Sequence, residues 1–68
     1  MGKEQKFSIE AKVIDKYRGG FILESTYGTH KAHIGGKLRS RKIRIVVGDM
    51  VLADVGVDIE RAIITKRL

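Results

Sequence analysis

Sixty-eight residues, 43% of them hydrophobic and 32% charged, are enough for one small domain and one hydrophobic core. The absence of cysteine excludes a disulfide framework and a thiolate zinc site. No apolar run approaches the roughly 20 residues of a membrane span, and the net charge of +6 points to a polyanionic partner.

Residues 1–6 are polar and lack the apolar stretch of a secretory signal, so a flexible tail on a soluble, intracellular chain is expected. Phe7, Ile9, Ala11 and Val13 then alternate with Ser8, Glu10 and Lys12, the period of a half-buried strand. The alternation slips at Val13-Ile14, which predicts a bulge or sharp bend. Tyr17-Arg18-Gly19-Gly20 reads as a tight turn, and Phe21 to Ser25 as a second strand. Phe7 and Phe21 take core positions in these alternations. Tyr27-Gly28 predicts the next turn and Thr29 to Ile34 a third strand.

From Gly35 to Lys42 the period-two signal stops, and a single helical turn with Leu38 pointing inward fits the residues. Ile43 to Val47 is short and apolar, Gly48-Asp49 is a turn, and Val51, Ala53 and Val55 mark a fourth strand. Residues 56–60 form a loop before a fifth strand from Ala62 to Lys66. This order predicts one all-β domain over residues 1–68. Its expected architecture is the five-stranded Greek-key barrel called the OB-fold, with a short helical turn between strands three and four.

Catalysis finds little support. His30 and His33 stand three apart in a strand and should face opposite sides, so they cannot jointly grip a metal. Asp15, Asp49, Asp54 and Asp58 are scattered at turns and strand ends, where aspartate satisfies backbone amides. Gly35-Gly36-Lys37 lacks the spacing of a phosphate loop. The chain is read as neither an enzyme nor a cofactor binder.

Charge is the stronger signal. Residues 30–44 hold six basic side chains and no acid, whereas residues 1–29 carry five Lys or Arg against four acids and residues 45–68 carry three against four. A one-sign block predicts a basic side on the folded domain, and arginine suits such a side because its planar fork pairs with phosphate oxygens and stacks on bases. The candidate RNA contacts among these charged and turn residues are Lys37, Arg39, Arg41, Lys42 and Arg44, joined by Tyr17, Arg18, His33, Lys66 and Arg67. Few aromatics are available for stacking, which argues against a generic single-strand binder.

Ala32-His33-Ile34-Gly35-Gly36-Lys37-Leu38-Arg39 resembles the corresponding block of bacterial-type translation initiation factor one, close to Ala-His-Ile-Ser-Gly-Lys-Met-Arg. The likeness continues through Ile43-Arg44-Ile45 and Gly48-Asp49-x-Val51, and reaches Lys3-Glu4, Val13 and Phe21 nearer the start. The resemblance implies an OB-fold factor that binds small-subunit ribosomal RNA at the decoding site, beside a ribosomal protein and the other initiation factors. It implies RNA contacts at Lys37, Arg39 and Arg44, and puts Leu38 where the family's methionine packs on a displaced base. The loop from Tyr17 to Gly20 matches the one that enters the RNA minor groove. Arg41-Lys42 stands where the family has Asn-Tyr, and the stretch before the fifth strand is about two residues short, as in a diverged member from an organelle or a reduced genome. The expectation is thus a monomeric initiation factor in the cytoplasm or an organellar matrix. A general RNA-binding module or RNA chaperone is the alternative.

Overall fold

The structure, a computed structural model, describes residues 7–68. The tail expected over residues 1–6 lies outside the described residues, as does the side chain of Lys37. Five strands and one short helix follow in the order β1 (Phe7–Tyr17), β2 (Gly20–Ser25), β3 (Gly28–Ile34), α1 (Gly36–Ser40), β4 (Met50–Val55) and β5 (Arg61–Arg67). The strands close into a barrel in the order β1-β2-β3-β5-β4. The pairing is antiparallel except between β3 and β5. This is the OB-fold, with its helix between the third and fourth strands.

Closure depends on β1. Its first half pairs with β4, from Phe7 opposite Val55 to Lys12 opposite Met50, and its second half pairs with β2. The register shifts between Val13 and Asp15, where the sequence alternation slips. A bulge there bends the strand so that one segment serves two neighbours. Backbone bonds from the Val13 amide to the Asp49 carbonyl (2.9 Å) and from the Gly48 amide to the Val13 carbonyl (2.8 Å) fix the bend.

Inward positions alternate through the first half of β1 and along β3, β4 and β5, and small residues sit opposite large ones. Ala11 faces Val51, Ala53 faces both Ile9 and Ile64, and Ala32 faces Phe21. A five-stranded barrel has a narrow interior, so such alternation lets its layers fill without strain. Phe21 is buried as expected. Phe7 is not: it is 44% exposed, because it lies at the strand's outer end beyond Ile9. Its ring meets Tyr27 edge-on instead, with centroids 5.9 Å apart.

Tyr17 pairs with Gly20 across a two-residue loop whose second residue, Gly19, has φ of 79°. At Gly20 a Cβ would lie 2.5 Å from the Ala32 carbonyl oxygen and 2.9 Å from the Tyr17 ring, so only glycine admits this contact. His30 points inward and His33 outward, the opposite faces expected. The Ile59 carbonyl can only accept, so His30 donates to it through Nδ1–H, and Nε2 accepts from the Ser25 hydroxyl at 2.6 Å.

Candidate nucleic-acid interface

The connection from β3 to β4 carries most of the basic block, and its path follows from where its apolar residues go. The Gly35 amide donates to the Ile64 carbonyl (2.9 Å) and the Arg39 amide to the Gly35 carbonyl (3.0 Å), which starts α1. The helix ends in two bonds, Lys42 amide to Arg39 carbonyl (3.1 Å) and Ile43 amide to Leu38 carbonyl (3.2 Å). These are the paired bonds of a Schellman motif, which carries an apolar contact between its first and last members. Here Leu38 is 5% exposed in the core, with Ile43 packed against that core.

Leu38 is therefore the inward plug. Its other expected role, packing on a displaced base, is left only the edge that Leu38 shows at the surface beside Arg41 and Arg44.

After Ile43 the chain runs extended without joining a ladder. Ile43 and Ile45 turn inward while Arg44 and Val46 turn outward. Asp49 ends the run, its carboxylate accepting from the Val46 amide at 3.0 Å. Asp58 likewise accepts from the Glu60 amide, as its turn position predicts, while Asp15 accepts from the Lys16 amide within β1, beside the bulge.

Two hollows flank this segment. One brings Arg41 and Arg44 to Lys66 and Arg67 at the end of β5, over Leu38 and Ile43. The other gathers Lys16, Arg39, Lys42 and Arg44 around Phe21, Ile34 and Ile45. Arg44 borders both, and among the described residues neither is lined by an Asp or Glu. The Arg67 guanidinium donates to the Arg44 carbonyl at 3.2 Å, tying β5 to the segment between the hollows. Cationic rims over apolar floors suit a ligand with phosphates and flat apolar faces, which is the chemistry of a nucleic acid.

The structure thus joins Arg39, Arg41, Lys42, Arg44, Lys66 and Arg67, and it adds Lys16, which the sequence reading missed. Lys16 lies past the bulge, where alternation no longer says which way a side chain points; its register opposite Phe21 brings it to the hollow. Tyr17 and Arg18 follow it in the hairpin and are exposed. His33 is separate. It lines a third hollow with Asp54, Asp58, Arg61 and Ile63, where acids offset the cation. Lys31, also outside the basic hollows, pairs in register with Arg61 beside Glu60. Among the described residues, no group of His, Asp and Glu could hold a metal ion, and no helix is long and apolar enough to cross a membrane.

No family model matches the sequence. Among solved structures, the chain is similar to translation initiation factor one from the Wolbachia endosymbiont strain TRS of Brugia malayi. The TM-score is 0.77 at 28% identity, over 93% of this chain and 78% of that one. YjeQ from Thermotoga maritima gives the same TM-score at 20% identity, over 91% of this chain and 23% of that chain, a likeness of fold alone. The barrel of this chain, with its helix between β3 and β4, is the OB-fold of the first of these structures.

Proposed function

We propose that the chain is a translation initiation factor that binds small-subunit ribosomal RNA at the decoding site, acting by occupancy and without catalysis. One observation carries this reading: two acid-free cationic hollows share Arg44 as their common wall, on a chain similar at 28% identity to a translation initiation factor. The arginines pair with phosphates on either side of the extended segment, while apolar floors receive sugar and base surfaces. The chain works as a monomer in the cytoplasm or an organellar matrix. It sits beside a ribosomal protein and other initiation factors and needs no cofactor.

A second reading, a general RNA-binding module without a fixed ribosomal site, gains from the burial of Leu38 and from Arg41-Lys42 at the Asn-Tyr positions. The first removes most of a base-directed contact and the second puts charge in place of one, and charge attracts RNA without choosing a sequence. Chemical footprinting of small-subunit RNA with and without the protein separates the two. The first reading expects discrete protection at the decoding site that a decoding-site antibiotic abolishes. Binding with only diffuse protection supports the module, and no binding to small subunits or to free RNA overturns both.

A further inference from the structure

The turn that ends α1 sets backbone preference against side-chain charge. A Schellman motif needs a left-handed residue just past the helix, usually glycine, because a Cβ crowds the following carbonyl there. This chain has Lys42 at that place, with φ of 58°, the only non-glycine with positive φ among the described residues. The motif itself is fixed by the core, since Leu38 and Ile43 reach their places only if the chain reverses between them. The same reversal leaves Lys42 exposed on the hollow that also holds Lys16, Arg39 and Arg44.

We propose that Lys42 is an affinity-determining residue of the polyanion site, held in a strained backbone state at a cost to stability. The inference rests on the RNA-binding reading above. Strained conformations persist where surrounding structure over-determines them and where the side chain has a task. Both conditions hold here: the plug dictates the conformation, and the acid-free hollow supplies the task. Glycine would relieve the backbone but remove one of the four cations that the described residues place around that hollow.

Three variants separate strain from charge: Lys42→Gly, Lys42→Ala and Lys42→Arg, each measured for thermal midpoint and for binding to a fluorescein-labelled RNA hairpin across a salt series. Lys42→Gly should melt higher, on the order of 4 °C, because the left-handed penalty disappears. It should also bind the hairpin several-fold more weakly, with a log–log salt slope shallower by about 0.7–0.9, the share of one phosphate contact. Lys42→Ala should lose the same affinity without the gain in melting temperature, and Lys42→Arg should match the wild type in both. A glycine variant that keeps affinity and slope overturns the role of the charge, and one that melts no higher overturns the strain. If the wild type itself does not bind the hairpin, the RNA-binding reading fails along with this one. If it binds and Lys42→Gly binds equally well, only the role of Lys42 falls.

Discussion

The connection between β3 and β4 and the loop between β4 and β5 both span a gap between strands, yet they are built in opposite ways. The first, residues 35–49, sends Leu38 and Ile45 into the core and sets Arg39 and Arg44 directly beside them in the chain. The second, residues 56–60, buries none of its side chains and leaves Val57 84% exposed. It is held to β3 by the Glu60 carbonyl accepting from the Lys31 amide at 2.7 Å and by the Ile59 carbonyl accepting from His30. Its charges are Asp58 and Glu60, and it stands beside cations that these acids offset. Unopposed charge therefore lies where the backbone is backed by buried neighbours. A binding surface benefits from that backing, because side chains on a rigid base lose less freedom when they meet a ligand.

The largest test of this contrast is stability. Leu38→Ala and Ile45→Ala should each cost about 2–5 kcal/mol, the range for truncating a buried aliphatic chain. Val57→Ala should stay within about 0.5 kcal/mol, as exposed substitutions do. Urea titration with an unchanged m-value measures both. If Leu38→Ala costs no more than Val57→Ala, the connection is not the plug, and the rigidity assigned to its arginines disappears with it.

The barrel was legible in the sequence because alternation reports burial residue by residue. Ile9, Ala11, Val13, Val51, Ala53 and Val55 are all inward as that pattern predicts, and even the bulge left its mark at Val13-Ile14. Phe7 misled, since alternation gives a face but not how far the core extends along a strand. The basic hollows were legible in part. Their cations stood out as a block, but the meeting of Arg41 and Arg44 with Lys66 and Arg67 requires β5 to run beside the connection, a fact of topology. The helix end at Lys42 was hidden, because the glycine that marks a Schellman turn is missing where the charge stands. Whether His30 or His33 faced inward was equally hidden from spacing alone.

His30 offers the next test, on the loop side of the comparison. His30→Leu keeps the apolar volume but takes away the imidazole that serves both Ile59 and Ser25. Losing the donor to this part-buried carbonyl should cost about 1 kcal/mol, toward the low end of the range for an unpaired buried group. The loss should be local, with faster hydrogen exchange at the Lys31 amide and little change at Arg39 or Ile43. Uniform loss of protection across the barrel would mean that the imidazole supports the whole core and not the loop alone.

Binding provides a third test. Arg44→Ala should weaken RNA binding by about 1–3 kcal/mol, because Arg44 borders both hollows and its charge-assisted bonds are among the strong ones. Arg61→Ala removes the same formal charge from the mixed-sign hollow and should cost no more than about 0.5 kcal/mol. The wild type should show a log–log salt slope of roughly −3 to −5 if about four to six phosphates are neutralised. Equal losses for Arg44 and Arg61 among folded variants would reduce the site to diffuse attraction.

The smallest expected effect asks the same question in reverse. Glu60→Lys turns the hollow of Lys31 and Arg61 into an acid-free one without touching the connection. If RNA responds to total charge, this change of two units should tighten binding more than Arg44→Ala weakens it. If the backed hollows are the site, an added cation elsewhere acts only through the screened field, which fades over about 8 Å at physiological salt. Affinity should then change less than about twofold at that salt, with a larger gain appearing only at low ionic strength. The variant also sets three cations side by side, so the thermal midpoint must be read with it, since like charges across a sheet are destabilising. A folded Glu60→Lys protein that binds RNA tenfold tighter at physiological salt would show that charge counts wherever it lies, and that the buried neighbours of Arg39 and Arg44 serve the fold alone.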